Sequence, residues 1–241
     1  MQEFSLLENW WQFLILAVIS YGVGCINFAL LISRAKKNDI TKIGSANPGT
    51  MNMSREFGWK IGVLTFLGDA LKGFVPVLVA HLLYKDAVFV GTQTQVSDFA
   101  RYFCGLLAIL GHVFPVTMKF KGGKGIATTF GVFWAALTCE RVWLFPVVFA
   151  VFIGILFFIF LTEWGSLGSL FGVVILSCVQ AVIFFLRYEE RVLNAYTVGL
   201  FIMLFAIVVL TWAAHYQNLG RLLSGEEHRT SLKKIVKKAK K

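Results

Sequence analysis

The chain has 241 residues, of which 57% are hydrophobic and only 15% charged, with a mean hydropathy of +0.72. Soluble domains have an apolar share of about 45–50% and a charged share of about 25%, so this composition excludes an ordinary soluble protein and indicates a polytopic membrane protein. The net charge of +10 comes from basic residues that lie between and after apolar runs. We therefore interpret these basic residues as signals that set the membrane topology and as contacts with anionic membrane lipids. We expect no nucleic-acid partner.

Seven apolar segments predict an all-α fold with about seven transmembrane helices. The first segment opens with Trp10-Trp11, an interfacial anchor, and acidic residues precede it, so we do not expect a cleaved signal. The fourth segment is short and can be tilted or partly buried. The seven segments cover residues 10–32, 60–84, 99–116, 126–138, 143–161, 170–186 and 192–214. We expect one domain, residues 1–241, with a basic cytoplasmic tail at about 226–241.

Lysine and arginine choose between the two orientations of such a bundle. Most of the 23 Lys and Arg lie in the first loop, the third loop and the tail, and the positive-inside rule places these segments in the cytoplasm. The N-terminus is then outside and the C-terminus is cytoplasmic. Four polar stretches share the cytoplasmic face in this topology, and their convergence favours a ligand site there. They are residues 44–55, 119–125, 162–169 and 215–227.

The third loop, Lys119-Phe-Lys-Gly-Gly-Lys-Gly125, combines the residue types of an anion cradle. Glycines let backbone N–H groups turn inward on a phosphate, and lysines supply countercharge. The loop lacks the spacing and the Ser/Thr of a P-loop, and a basic loop that only sets topology is an equally good interpretation. The candidates are Gly122, Gly123 and Gly125 for the amides and Lys119, Lys121 and Lys124 for the charge.

Two further groups of candidates precede that loop. Ser45, Asn52 and Arg55 exceed what a simple Asn-Pro-Gly turn needs. Asn52 and Arg55, three residues apart, can direct an amide and a guanidinium at one anion. Asp69 and Lys72 are also three apart, within the second apolar segment, where ionisable groups are costly and usually functional. We interpret this pair as a mutually neutralising brace for the site, and we count both residues among those that bind substrate.

The C-terminal part supplies the remaining polar candidates. Ser166 lies in a Gly/Ser-rich break between two apolar segments, which can line a polar cavity or form a plain turn. His215 and Asn218 share a helix face beyond the last segment and can orient a hydroxyl-bearing ligand. Glu226 and Glu227, followed by lysines, are typical of a solvated tail at the membrane surface. The four cysteines are scattered singly, so we expect no metal site.

Taken in order, these motifs resemble the bacterial acyl-phosphate-dependent glycerol-3-phosphate acyltransferases, the PlsY family. The resemblance implies a multi-pass protein of the bacterial inner membrane with its active site on the cytoplasmic face. It rests on Gly44-Ser-Ala-Asn-Pro-Gly-Thr-Met-Asn-Met-Ser-Arg55, Leu67-Gly-Asp-Ala-Leu-Lys-Gly73, Gly111-His-Val-Phe-Pro115, Phe120-Lys-Gly-Gly-Lys-Gly-Ile-Ala-Thr128, Ser166-Leu-Gly-Ser169, His215-Tyr-Gln-Asn218 and Gly225-Glu-Glu227.

The resemblance also implies a reaction. A fatty acyl group passes from acyl phosphate to the sn-1 hydroxyl of glycerol 3-phosphate, which gives lysophosphatidic acid and phosphate, the first acylation of phospholipid synthesis. No cofactor is implied, because acyl phosphate is already activated. The soluble enzyme that makes acyl phosphate is a partner suggested by family context.

Site roles carry over by position in the same way. His215 and Asn218 would contact the glycerol moiety, and glycine-loop amides would assist the phosphate contacts. Whether His215 or a phosphate oxygen of the substrate accepts the hydroxyl proton is left open. Contacts to phosphate or carbonyl would fall to Ser45, Arg55, Lys124 and Ser166.

Two other classes of protein are weighed against an enzyme. A transporter of phosphate or an organophosphate would use the same cationic loops, but it should have inverted repeats and broken helices near the midplane, which the sequence does not clearly contain. A membrane scaffold would need only the basic loops and tail. It leaves several polar residues without a role, namely Ser45, Asn52, Arg55, His215 and Asn218.

Overall fold

A computed structural model describes residues 1–188, 194–227 and 229–231 of the chain, and in these residues the fold is helical apart from two three-residue strands. Residues 189–193, 228 and most of the predicted basic tail (232–241) lie outside the described part. In chain order the helices are α1 (Leu6–Gly24), α2 (Phe28–Ala35), α3 (Thr50–Phe57), α4 (Trp59–Tyr84), α5 (Val96–Val113), α6 (Ile126–Glu140), α7 (Phe145–Thr162), α8 (Gly165–Arg187), α9 (Ala195–Ala214) and α10 (Tyr216–Leu223), with 3-10 turns at Val116–Met118 and Val142–Leu144.

Six helical stretches in the described residues are long and apolar enough to cross a membrane, which confirms the predicted all-α polytopic class. The predicted fourth segment differs from them, because α6 has only 15 residues and most of its side chains are buried within the protein. A membrane span usually needs about 20 residues. The total of seven crossings and the sides of the two termini stay predictions. The six stretches cover residues 6–35, 59–84, 96–118, 142–162, 165–187 and 195–214.

The first apolar segment is not the single continuous helix that the sequence predicts. The chain breaks at residues 25–27, where Asn27 caps α2 by accepting a hydrogen bond from the Leu30 N–H (2.8 Å). A break at membrane depth leaves backbone groups that only the protein can satisfy. Lys72 Nζ satisfies one of them by donating to the Ile26 carbonyl oxygen at 2.6 Å.

The segment between α4 and α5, which none of the predicted apolar segments covers in full, contains a strand that the sequence does not reveal. Strand β2 (Ala87–Phe89) pairs in parallel with β1 (Gln2–Phe4) near the N-terminus. The Phe4 ring packs against Tyr84 and Phe89, with centroids 5.4 and 6.1 Å apart. Strands of three residues are too short for an alternating pattern to predict.

Helices α4 and α6 form the centre of the bundle because two glycines let their backbones touch. A Cβ added to Gly73 of α4 would lie 2.2 Å from the Thr128 carbonyl oxygen, and one added to Gly131 of α6 would lie 1.8 Å from that of Ala70. Small residues at such contacts are a common device for packing helices in membranes. The close approach fixes the start of α6, where the third loop ends.

Four charged side chains join α5, α6 and α8 at the helix ends remote from the third loop; we call them the four-charge cluster. Arg101 donates to Glu140 Oε1 at 2.7 Å and also to Asp98. Arg187 donates to Asp98 Oδ2 at 2.8 Å and also to Glu140. Each arginine therefore meets two carboxylates, and each carboxylate two arginines, which is the pairing that buried charges require.

Candidate functional site

Five side chains form one hydrogen-bonded group, which we call the polar cluster. Three of them are predicted site residues, and the other two come from α10 and the tail. The members are Lys124, Ser166, Asn218, Arg221 and Glu227. Lys124 Nζ donates to Asn218 Oδ1. The Asn218 amide nitrogen donates to Ser166 Oγ at 2.8 Å and to Glu227 Oε1 at 2.7 Å. Ser166 Oγ also donates to Glu227, and Arg221 Nε donates to Glu227 Oε2 at 3.1 Å. The polar cluster thus joins the third loop, α8, α10 and the tail.

The third loop does not use its first two glycines as predicted. The amides of Gly122 and Gly123 donate to carbonyl oxygens at the end of α5, at 3.0 and 3.2 Å, so they fasten the loop to that helix instead of facing an anion. Gly125 takes φ = +80°, a backbone conformation that favours glycine, and α6 starts directly after it. The first amides of a helix lack intrahelical acceptors and attract anions. The amides available for an anion are therefore those at the start of α6, beside Lys124.

The three lysines of this loop differ in their surroundings. Two fit a basic loop that sets topology, and one fits an anion-binding loop. Lys119 and Lys121 are exposed, as residues of a basic loop that sets topology would be. Lys124 is partly buried and belongs to the polar cluster. One loop therefore serves both purposes, with Lys124 as the lysine placed to contact an anion.

The Gly/Ser-rich break predicted over residues 162–169 is shorter in the structure, because α8 already begins at Gly165. Ser166 consequently lies in the first turn of a helix, and its hydroxyl faces the polar cluster. Ser169 donates to the Gly165 carbonyl oxygen at 2.8 Å, within its own helix. The helix start thus separates a serine of the polar cluster from one that bonds its own backbone.

The prediction that Glu227 belongs to a solvated tail is wrong. Its side chain is only 6% exposed. The chain reverses at Gly225, which takes φ = +75°, and brings Glu227 back against α10. Burial raises the pKa of the Glu227 carboxyl, but the hydrogen bonds from Ser166, Asn218 and Arg221 together lower it by more. The net shift of the pKa is therefore downward. A glycine after a short helix is a signal for such a reversal, whereas the following run of charged residues suggests a solvated tail.

His215 lies beside the polar cluster, at the junction of α9 and α10. Its Nδ1 is 2.7 Å from the Thr211 carbonyl oxygen. Because a carbonyl oxygen only accepts hydrogen bonds, Nδ1 carries the proton in the neutral ring and Nε2 is left as an acceptor. Burial, together with the charge of Lys124, lowers the pKa of His215 to about 4. A group with such a pKa is a weak general base at neutral pH.

Asn52 does not point its amide at a ligand, as predicted, but holds the first loop in shape. Its Oδ1 accepts a hydrogen bond from the Ser45 N–H (3.0 Å), and its Nδ2 donates to the Ile43 carbonyl oxygen (3.0 Å). Asn52 is 1% exposed, and its Nδ2 also donates to the Ile40 carbonyl oxygen at 3.4 Å. Ser45 is exposed on the same loop, and within the described residues its hydroxyl makes no hydrogen bond to the polar cluster.

Arg55, in the last turn of α3, reaches toward the tail. Its Nη2 donates to Thr230 Oγ1 at 2.7 Å. The charges of Arg55 and Glu227 lie close enough to interact, as do those of Arg55 and Lys124. Sequence spacing predicts Arg55 as an anion contact, and the structure places it next to the polar cluster. Nothing in the sequence pairs it with Thr230.

Asp69 and Lys72 lie deeper than the polar cluster and form an ion pair of 3.0 Å. Both side chains are nearly inaccessible, at 1% and 2% exposure. His112 Nδ1 is 3.7 Å from Asp69 Oδ1. The pair therefore braces the break between α1 and α2 and approaches the histidine that precedes the third loop. Their place among the substrate-binding residues stays a prediction.

The electrostatics of the polar cluster favour an incoming anion. Burial lowers the pKa of Lys124 to about 8, since the nearby Glu227 carboxylate only partly offsets the burial and the charges of Arg221 and Arg55 lower it further. Lys124 and Arg221 of the polar cluster, with Arg55 beside it, thus lie near Glu227, and the charge of Glu56 also acts on Arg55. A ligand that brings more negative charge would relieve the mutual repulsion of these three cations.

Comparisons with known proteins agree on one family. The family model described as glycerol-3-phosphate acyltransferase matches residues 14–225. A glycerol-3-phosphate acyltransferase of Pseudothermotoga lettingae is 35% identical, over 94% of this chain and 98% of that relative. One of Geobacter sulfurreducens is 37% identical, over 90% of this chain and 96% of the relative.

Solved structures give the same result. Crystal structures of PlsY, an integral membrane glycerol 3-phosphate acyltransferase, in its glycerol 3-phosphate and lysophosphatidic acid forms superpose with TM-scores of 0.73 and 0.72. Each is 30% identical and covers 93% of this chain and 98% of the solved chain.

Proposed function

The chain is a member of the glycerol-3-phosphate acyltransferase family that acylates glycerol 3-phosphate to lysophosphatidic acid, and from this premise we propose that the fatty acyl group comes from acyl phosphate and goes to the sn-1 hydroxyl. The products are lysophosphatidic acid and inorganic phosphate. The proposal rests on one observation: Lys124, held in the polar cluster by Asn218, lies within electrostatic reach of Arg55 and Arg221. These three neighbouring cations can bind the negative charge of two phosphate-bearing substrates.

The protein contributes to this reaction mainly by positioning the two substrates and by supplying positive charge. The glycerol oxygen forms an ester bond to the acyl carbonyl carbon, the bond from that carbon to the phosphate oxygen breaks, and phosphate leaves. Two anionic substrates repel each other, so cations that hold both of them together lower the barrier. Negative charge grows on the carbonyl oxygen and the leaving phosphate, where pre-oriented donors stabilise the transition state.

The described contacts support a division of roles. Lys124, Arg55 and Ser166 bind phosphate or carbonyl oxygens, together with the amides at the start of α6, and Ser45 joins them from the exposed first loop. Asn218 and His215 orient glycerol 3-phosphate. The low pKa of His215 favours a hydrogen-bond acceptor that positions the hydroxyl, with a phosphate oxygen of the substrate taking the proton.

Other predicted residues act through these ones. Asn52 shapes the loop that carries Ser45, and Gly122 and Gly123 fasten the third loop to α5. Asp69 and Lys72 stabilise the helix break. These five are positioning residues in the proposal, and the reacting atoms do not touch them.

The proposal places the site at the cytoplasmic face of the bacterial inner membrane. The positively charged first and third loops, both next to the polar cluster, favour the cytoplasmic side and contact with anionic lipids. An acyl donor made in the cytoplasm then reaches the site directly, with its chain among the apolar helices. The soluble enzyme that makes acyl phosphate is the proposed partner for this delivery.

The choice of acyl donor provides the test of the proposal. Purified protein in detergent is given glycerol 3-phosphate with acyl phosphate, with acyl coenzyme A or with an acyl carrier protein thioester. We expect lysophosphatidic acid and an equal amount of phosphate with the first donor alone. Absence of product with acyl phosphate, or equal rates with a thioester, contradicts the proposal. Uptake of phosphate into sealed vesicles without product would instead support the transporter.

The pH dependence of kcat/KM should follow Lys124. The ammonium is protonated below its pKa of about 8 and loses its charge above it, so we expect kcat/KM to be highest below that pH. At pH 9 the protonated share falls to about a tenth. The measurement is kcat/KM for glycerol 3-phosphate from pH 6 to 10. In Lys124→Arg, whose charge does not titrate in this range, the decline near pH 8 should disappear; a decline that persists there contradicts the assignment.

A further inference from the structure

The tail beyond the residues matched by the family model returns to the site. That match ends at residue 225, and Thr230 lies beyond it with only 4% of its surface exposed. Its hydroxyl accepts the hydrogen bond from Arg55 Nη2 at 2.7 Å. A threonine this buried, five residues after a chain reversal, is held in place by the fold and is not a chance surface contact.

Two further contacts fix Thr230. Its N–H donates to the Glu163 carbonyl oxygen at 2.7 Å, at the turn between α7 and α8. A Cβ added to Gly165 would lie 2.9 Å from Thr230 Oγ1, so the glycine that starts α8 leaves room for the hydroxyl. Thr230 therefore connects the end of α3 to the start of α8, the helix that carries Ser166.

We propose that Thr230 is a positioning residue that holds the Arg55 guanidinium ready for a substrate phosphate. This inference rests on the proposed function and adds to it a residue that none of the sequence motifs includes. A guanidinium has five N–H donors in a rigid plane, so one hydrogen bond to a fixed hydroxyl sets the direction of the others. The hydroxyl is neutral, and it orients the charge without neutralising it. Arg55 loses less side-chain entropy on binding when it is oriented beforehand.

The opposite role for the same contact gives the opposite result. If Thr230 blocked the guanidinium in the empty site, its removal would tighten substrate binding. If it positions the guanidinium, its removal weakens binding and leaves the chemical step nearly unchanged. The change in KM therefore has a different sign in the two cases.

The test is the steady-state kinetics of Thr230→Val, which keeps the shape of the side chain and removes the hydroxyl. Each substrate is varied at saturation of the other, and the KM that increases identifies the phosphate that Arg55 holds. We expect one KM to increase by about 3- to 10-fold, the effect of losing one hydrogen bond of typical net strength, with kcat within about twofold. Thr230→Ser should restore the normal KM. In an Arg55→Lys background, Thr230→Val should add no further increase.

Controls separate this inference from the proposed function and from a loss of folding. Thr138→Val removes a hydroxyl whose hydrogen bond within the described part of the chain is to the Trp134 carbonyl oxygen of its own helix, and its kinetics should be normal. If Thr230→Val is poorly produced, Thr230→Ala and Thr230→Ser are compared instead, and only the alanine variant should show the higher KM. An unchanged or lower KM for both substrates overturns the inference. A wild-type protein without acyl transfer overturns the proposed function itself.

Discussion

The change Lys124→Ala is expected to lower kcat/KM for lysophosphatidic acid formation by about 10²- to 10³-fold, the loss typical of removing one donor that stabilises developing negative charge. Lys124 is the cation of the third loop that belongs to the polar cluster, and it lies at the start of α6, where backbone amides add to its effect. Its removal also leaves Asn218 Oδ1 without the ammonium donor. The measurement is initial rates of the purified variant at pH 7.

The matched control is Lys121→Ala, three residues earlier in the same loop. Lys121 is exposed, and an exposed charge interacts weakly through water. We therefore expect kcat/KM within about twofold of wild type, since only a screened surface charge is lost. Equal losses in the two variants would mean that the loop acts through its net charge alone, and the role given to Lys124 would be wrong.

The change Arg101→Leu is expected to destabilise the fold by about 3–5 kcal/mol, the usual result of leaving buried carboxylates without one of their partners. Arg101 is 1% exposed, and it also donates to the Ala136 carbonyl oxygen at 2.8 Å. Without it, Asp98 and Glu140 share one described cation, Arg187, and keep only the neutral donors Tyr188 and Gln180 beside it. The thermal unfolding midpoint in detergent should fall clearly below that of wild type.

Activity at low temperature separates this effect from a catalytic one. Lys124 precedes the 15-residue α6 and Glu140 ends it, and the helix between them is about 22 Å long at 1.5 Å per residue. Variants that still fold should therefore keep a normal kcat/KM. Arg141→Ala, which removes an exposed arginine next to the four-charge cluster, should leave the midpoint unchanged. A stable Arg101→Leu protein would show that the four-charge cluster does not hold α5, α6 and α8 together.

The helical architecture was predictable because a long apolar run indicates a membrane-spanning helix without any information about the residues that it contacts. The break at residues 25–27 was not, since its Ile26 carbonyl oxygen is satisfied by Lys72, which lies more than forty residues away and reaches it only in the folded chain. The short strand β2 was missed for a similar reason. It exists because the N-terminus returns to pair with it, and three residues carry no readable pattern.

The site was predictable in part. Charge asymmetry and residue spacing bring Lys124, Ser166 and Asn218 to one place, and the structure has them in contact. The direction of a hydrogen bond was not predictable, because it depends on neighbours distant in sequence. Asn52 bonds the first loop, and the Gly122 and Gly123 amides bond α5.

Glu227 and Thr230 show the same limit in the tail. A charged run normally indicates solvent, and only the reversal at Gly225 brings these two residues back to the site. Their contacts with Asn218 and Arg55 depend on that single turn of the backbone. A sequence pattern identifies the glycine but not the direction in which the chain then runs.

Equilibrium binding of radiolabelled glycerol 3-phosphate to the purified protein tests most directly whether the polar cluster is the phosphate site. The account predicts saturable binding by wild type and by Lys121→Ala, and a dissociation constant raised at least about tenfold in Lys124→Ala, the effect of losing roughly 1.4 kcal/mol from one charge-assisted contact. Equal binding by all three proteins would contradict it.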